Sequence, residues 1–363
     1  MKRLLCIVSS MDRGGAETFL MKVYRSLDRS KYQMDFCVFK PKEGFYDAEI
    51  KKMGGKIFVL PPKSKNPFKT FWRILKLVKK EKYLSVLRTS QQSLATLDLL
   101  AAKLGGAKKL IYRSSNANIT GGIMMRIINT IFSFLPKIIP NVKLAPSTES
   151  AVFVFGKRQV KNGKVTILPN GLDYNKFKFN EGVRDKIRKE LHFNNNTIYG
   201  HIGRFNVQKN HSFLLDIFSE IYKKDPNARL ILIGEGELEQ EVKAKIKKLN
   251  LENVVLLLGV KENANEYYMA MDYMIFPSFF EGMPNVVIEA QAAGLKCTLS
   301  DTITKEADLT GLLTYMGINN SSKEWANQIL NNLDYKRKSY EKEFLNKGYI
   351  ISKNIQIYIN KFF

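Results

Sequence analysis

Residues 276–294 read FPSFFEGMPNVVIEAQAAG, and the reading of this stretch decides the fold. The apolar run Tyr273-Met274-Ile275-Phe276 has the length of a buried strand and stops at Pro277. After a short turn-forming segment the pattern becomes helical, with Val286, Val287, Ala290 and Ala293 near one face. The order is strand, loop, helix. Gly282 can take backbone angles closed to other residues, and Pro284 near the helix start needs no donor. The loop, with Met283 and Asn285, can therefore offer backbone N–H groups at the positive end of a helix, a site for an anion or for sugar hydroxyls.

Two carboxylates bracket this loop, Glu281 and Glu289, with seven residues between them. A carboxylate accepts two hydroxyl hydrogen bonds at once and so clamps vicinal diols of a hexose or a ribose. The alternative is a solvated loop residue and an ordinary charge on a helix surface. The segment resembles the E-x7-E donor-site segment of the retaining glycosyltransferases of family 4, especially the branch that builds bacterial capsular and exopolysaccharides. The resemblance covers nearly the whole chain. It implies an α/β protein of the GT-B fold, with two Rossmann-like parallel-sheet domains facing across a cleft.

A chain of 363 residues, 45% apolar and 25% charged, is long enough for two domains with separate cores. Cys6, Cys37 and Cys297 have no metal-ligand spacing and read as buried, reduced thiols of a cytosolic protein. The basic start MKRLLCIVSS has too short an apolar run for a signal peptide, and no run approaches the length of a membrane span. Net charge is +24, and residues 1–168 carry most of it, with 32 Lys/Arg against 10 Asp/Glu, while residues 169–363 hold 26 against 24. So basic a first half is drawn to lipid headgroups, a phosphorylated carrier or nucleic acid. Aromatics are not interleaved with its lysines in an RNA-binding pattern, so nucleic acid is not the expected partner.

Along the chain, Lys2–Ser9 reads as a buried parallel strand followed by SMDRGGAE and a helix. Gly14 and Gly15 allow close approach of a phosphate to the helix N-terminus. The resemblance implies that this turn faces the donor diphosphate, with Glu17 near the acceptor. Strand-like runs at 34–39 and 56–60 flank a helix at 45–53. Residues 67–80, PFKTFWRILKLVKK, form a basic amphipathic helix, either packed on the sheet or lying in a membrane interface. Val86–Ser90 leads to Gln91 and Gln92, where many relatives have histidine; His192, His201 and His211 all lie in the second half. Leu110–Arg113 is a further strand, with SSNAN after it expected to line the cleft edge. Residues 121–140, GGIMMRIINTIFSFLPKIIP, suit either packing or a lipid surface.

The turn signal at Asn170-Gly171 in KVTILPNGLD marks the domain boundary. Residues 1–168 are expected as the basic acceptor-side domain and 169–345 as the donor domain; the resemblance implies that 346–363 return to the first as a helix. Residues 177–196 read as a connector with one short helix. In GRFNVQKNH, 203–211, Arg204 offers a planar fork of donors and Lys209 a compact charge, able to bind a leaving diphosphate. This segment resembles the family's diphosphate loop. Strands at 230–234, 254–258 and 296–300 complete the second sheet, and SDTITKE, 300–306, resembles the polysaccharide branch.

The expected activity is a metal-independent, retaining hexosyl transfer from a nucleotide sugar, a UDP-sugar by family habit, to a polyprenyl-diphosphate-linked glycan. Arg204, Lys209 and the Gly14-Gly15 amides would stabilise the diphosphate, Glu281 would orient the sugar and Glu289 would clamp the ribose. No cofactor or metal is implied beyond this co-substrate. The expected location is peripheral, at the inner face of the cell membrane and against anionic lipid. Rival readings are a nucleotide-sugar epimerase of the same fold and a non-catalytic polyanion- or membrane-binding protein.

Overall fold

In the computed structural model, which describes residues 1–12, 14–62, 66–115 and 122–363, the apolar runs become the strands of two parallel sheets. The chain divides into two units, Met1–Leu172 with Gly348–Phe363, and Asp173–Lys347.

In the first unit, β1 (Lys2–Ile7), β2 (Tyr32–Val38), β3 (Ile57–Val59), β4 (Ser85–Thr89), β5 (Lys109–Arg113), β6 (Val142–Ala145) and β7 (Thr166–Ile167) form a seven-stranded sheet in the order 3-2-1-4-5-6-7. Every pairing is parallel. Parallel strands are covered by helices on both faces, so they are continuous apolar runs rather than alternating ones. One face packs against helices Gly15–Ser26 and Ile351–Phe362 through Phe19, Val23, Tyr358 and Phe362. The other packs against Pro67–Glu81, Leu97–Leu104 and Thr148–Phe155 through Ile74, Val78, Leu99 and Phe155.

The changeover falls at 172/173 and 347/348 rather than at 168 and 345 because residues 169–172 are tied to the first unit. Buried Arg113 donates to Asn170 Oδ1 at 2.5 Å and to the Leu168 carbonyl at 3.3 Å. Tyr358 donates to the Pro169 carbonyl at 3.1 Å, and Leu172 bridges to Ile350.

In the second unit, β8 (Thr197–Ile202), β9 (Ala228–Ile233), β10 (Val255–Leu257), β11 (Tyr273–Phe276), β12 (Cys297–Ser300) and β13 (Leu313–Met316) run in the order 10-9-8-11-12-13, all parallel. The direction of winding reverses between β8 and β11. Ligands of open parallel sheets bind outside the carboxyl ends of the strands at such a reversal. The loops after β8 and β11 are those that carry GRFNVQKNH and FFEGMPN.

Residues 177–196 hold the one short helix expected there, Glu181–Glu190, and a single further turn, Tyr174–Phe177, ends where they begin. Asn180 caps the longer helix by accepting from Val183 N at 3.1 Å. Arg184 and Arg188 then reach Asp272 just before β11 at 2.5 and 3.0 Å. Burial alone would raise the Asp272 carboxyl, but Arg184, the Ile198 N–H and Arg188 bring it below its usual range.

Candidate functional site

Lys209 is positioned by two asparagines. Asn206 Oδ1 accepts from Lys209 N at 3.1 Å, closing the single turn Val207–Lys209. Asn210 then takes the left-handed conformation, φ 54°, and caps helix His211–Tyr222. The loop after β11 is held alongside: Phe279 N donates to the Gln208 carbonyl, and Gln208 Nε2 donates to the Phe280 carbonyl, both at 2.9 Å. Residues 72 positions apart are thereby brought together, with Lys209 Nζ 2.6 Å from Glu281 Oε1. Their side chains are only 15% and 10% exposed. The ammonium also lies 4.6 Å from the centre of the Phe276 ring.

Beneath this pair lies a layer of neutral imidazoles. His201 is fully buried, its Nδ1 is 2.9 Å from the Ile275 carbonyl, and its ring stacks on Phe276 at 5.2 Å. His211 follows at 4.8 Å, with Phe205 on it at 4.5 Å. Burial, with His211 and Lys209 adding to it, holds His201 well below the usual histidine range. Burial and Lys209 bring His211 down to about 4. Among the described residues, neither nitrogen of His211 has a hydrogen-bond partner. Gly234 completes the support: at φ +142°, a Cβ there would lie 2.1 Å from the Gly203 carbonyl oxygen.

The helix that carries Glu289 is Asn285–Ala292; Pro284 is its N-cap residue, and no side chain caps it. Gly282, Met283, Asn285 and Glu289 are half-buried, and Pro284 is buried. Tyr268, fully buried, donates to Glu289 Oε2 at 3.2 Å. Burial and the neighbouring Glu289 carboxylate raise the Tyr268 phenol well above its usual range, so the hydroxyl remains a donor.

Arg204 stands apart from this cluster: its side chain is 72% exposed and pairs with Glu237 at 3.2 Å. In the first unit, Gly14 is the N-cap of Gly15–Ser26, and the Glu17 carboxylate folds back over that helix start. A Cβ at Gly14 would meet Glu17 Oε2 at 2.3 Å. Burial raises the Glu17 carboxyl. Gln91 Oε1 accepts from Ser115 at 2.6 Å, and the Gln92 carbonyl accepts from Tyr112 at 2.7 Å. Asn116, Ala117 and Asn118 of SSNAN, Gly121 of the apolar segment and Arg13 of the glycine turn lie outside the described residues. Among the described residues, no three or more His, Cys, Asp or Glu side chains are grouped to hold a metal ion.

Sequence reasoning missed Asn206, Asn210, Gln208 and Tyr268. The first two had a signal, since an asparagine three residues before Lys209 and another just before a helix are capping patterns. Gln208 and Tyr268 had none, because their partners are distant in the chain.

The arrangement can bind an anion and a diol. An ammonium held by one carboxylate oxygen keeps further donors for a phosphate. A carboxylate about one turn into a helix with no side-chain cap accepts from a vicinal diol whose attached phosphates lie toward the helix start.

Residues 196–334 match the family described as Glycosyl transferases group 1. The Bacillus subtilis (strain 168) protein EpsF, which carries the name glycosyltransferase, is 32% identical over 333 residues, covering 90% of this chain and 87% of its own. An Escherichia coli protein, named UDP-Gal:alpha-D-GlcNAc-diphosphoundecaprenol alpha-1,3-galactosyltransferase, is 25% identical over 240 residues, 64% of this chain and 62% of its own. The crystal structure of Anabaena HepE in complex with UDP-glucose superimposes with a TM-score of 0.72 at 20% identity, covering 100% of this chain and 96% of that one.

Proposed function

This chain belongs to the group 1 glycosyltransferases and has the GT-B fold, and from that premise we propose that it is a retaining, metal-independent hexosyltransferase. Its donor is a UDP-sugar and its acceptor a glycan on a polyprenyl diphosphate, in capsule or exopolysaccharide synthesis. The observation that carries this reading is the part-buried Lys209–Glu281 pair at the β8/β11 reversal, with Glu289 about one turn into the helix that follows. Lys209 donates to the leaving diphosphate and stabilises its charge, and Arg204 joins it once its exposed side chain leaves Glu237. Glu281 has one oxygen on Lys209 and the other directed to sugar hydroxyls, a positioning role rather than that of a free nucleophile. Glu289, oriented by Tyr268, accepts from the ribose diol.

The donor and acceptor classes are supported by the E. coli relative, whose name contains both a UDP-sugar and a diphosphoundecaprenol-linked sugar. Such an acceptor brings the enzyme to the inner face of the cell membrane. The charge of the first unit favours anionic headgroups there: it holds 34 Lys/Arg against 10 Asp/Glu, while the second holds 24 against 24.

The test is to offer UDP-, GDP- and ADP-sugars with undecaprenyl-diphosphate-linked glycans in the presence of a chelator, and to read the product's anomeric configuration by NMR. Transfer from a UDP-sugar with the donor's configuration kept is expected. An inverted product refutes retention, and activity that needs added magnesium refutes metal independence. Conversion of the nucleotide sugar into its epimer, with no glycan formed, favours the epimerase.

A further inference from the structure

Two segments of the first unit carry apolar and basic residues together, and the structure separates them. Helix Pro67–Glu81 is packed: Thr70, Ile74 and Val78 are buried, and Phe71, Leu75 and Leu77 lean on the same core. Its exposed face carries the lysines together with Phe68 and Trp72, but the opposite side is anchored in the core as in other sheet-covering helices. Helix Ile123–Ile131 is different, because none of its nine residues is buried. The side chains of Ile123, Met124, Ile127, Ile131, Phe134 and Ile138 are between 48% and 79% exposed. Positions 123, 124, 127 and 131 share one helical face, and the short helix Leu135–Ile138 continues it. So contiguous an exposed apolar face marks an interaction site.

The segment is nonetheless fixed in place. Asn129 Oδ1 accepts from Ser93 N at 2.6 Å, and the Asn129 carbonyl accepts from Ser93 Oγ at 3.1 Å. Pro136 is buried, and Ile139 packs on the same sheet face that Pro67–Glu81 covers. Ser93 directly follows Gln92, so the apolar face stands beside the loop at the carboxyl end of β4.

We infer that Ile123–Ile138 is a bilayer-inserting element that lies in the membrane plane beside the loop at the carboxyl end of β4. The occupant is argued from charge. Between Asp98 and Glu149 the chain contains no carboxylate and seven Lys or Arg, so this stretch is itself wholly basic and suits anionic headgroups. A nine-residue helix is about 13 Å long, too short to span a hydrocarbon core of about 30 Å, and so it rests in the interface. Arg126 and Lys137 then reach outward to headgroups while the aliphatic side chains enter the acyl boundary. The inference deepens the membrane reading above and rests on it for the lipid-linked acceptor.

The experiment is cosedimentation of the full chain with vesicles of phosphatidylglycerol and phosphatidylcholine, at low and high salt. The variants are the double substitution Ile127→Asp with Ile131→Asp, and the triple substitution Lys76→Glu, Lys79→Glu and Lys80→Glu. Wild type should stay bound at high salt, and the Asp pair should weaken that residual binding on the order of tenfold, since each change withdraws a buried aliphatic group. The Lys triple should weaken binding only at low salt. Because no side chain of this helix is buried, both Asp substitutions should leave the melting curve unchanged. As a second reading, Ile131→Trp in a Trp72→Phe background should be quenched by brominated acyl chains, while buried Trp325 is not.

Complete release of wild type by salt, with the Asp pair cosedimenting like wild type, overturns the inference. So does a self-associating wild type whose oligomer the Asp pair dissolves in the absence of vesicles, which would make this face a contact between copies. Insertion in the absence of any sugar transfer supports the inference and removes the functional reading instead.

Discussion

Acidification should weaken the second unit through His211, by an amount that follows from its surroundings. Its imidazole is held at about 4 by burial and by Lys209, against about 6.5 in an unfolded chain. A depressed histidine contributes stability that is complete above pH ~6.5 and lost as pH falls toward ~4, because the unfolded chain takes up a proton that the folded one refuses. Between pH 7 and pH 5 the loss from this one group is about 2 kcal/mol, since each tenfold difference in proton affinity is worth ~1.36 kcal/mol. Urea unfolding followed through Trp325 isolates the effect, since that indole is buried in the second unit and packs against Phe213 of the His211 helix at 5.8 Å. A Trp72→Phe background removes the signal of the first unit. The His211→Asn variant will be less stable at neutral pH, having lost the contact with Phe205, but its stability should fall by about 2 kcal/mol less on going from pH 7 to pH 5. An unchanged pH dependence in the variant would show that His211 is not held neutral, and the imidazole layer beneath Lys209 would have to be redrawn.

Gly234→Ala should lower the melting temperature steeply, because no rotation removes a Cβ lying 2.1 Å from the Gly203 carbonyl oxygen; a melting curve like wild type would refute the packing. Asp272→Ala leaves Arg184 and Arg188 without their acid and should cost about 3 kcal/mol in chemical unfolding of the second unit. Because the Asp272 carboxyl is depressed, its own contribution is present above its ordinary pKa and disappears as pH falls below about 4, so the variant and wild type should converge in acid. Tyr268→Phe removes the donor to Glu289 and should weaken UDP binding about fivefold, the value of roughly 1 kcal/mol, with little change in melting temperature.

Much of the fold was legible because parallel strands covered on both faces tend to be continuous apolar runs, and Leu4–Ile7, Leu230–Ile233 and Tyr273–Phe276 are such runs. Strand Leu313–Met316 was not read: it is an edge strand only half-buried, so its composition carries a weak signal. The one short helix expected in 177–196 is Glu181–Glu190, but its anchoring was not legible, since Arg184 and Arg188 pair with an aspartate more than 80 residues away. At the site, the loop–helix module of Glu281 and Glu289 and the loop of Lys209 could be seen locally. That Lys209 meets Glu281, while Arg204 turns to Glu237, could not, because the first is decided by the adjacency of β8 and β11, with Gln208 joining their loops, and the second by the adjacency of β8 and β9, where Phe205 N donates to the Glu235 carbonyl. The segment 121–140 stayed ambiguous because an amphipathic pattern does not say whether its apolar face is covered; the structure leaves it open to solvent.

Calorimetric titration of UDP into wild type, Glu289→Ala and Lys209→Met tests most directly whether the β8/β11 reversal holds a uridine nucleotide, with Lys209 on the phosphates and Glu289 on the ribose. Wild type should bind, and each variant should lose roughly tenfold to a hundredfold in affinity, the range for a hydrogen bond to a charged group, while its fold is retained. UDP that binds both variants as tightly as wild type would contradict this placement and put the nucleotide elsewhere.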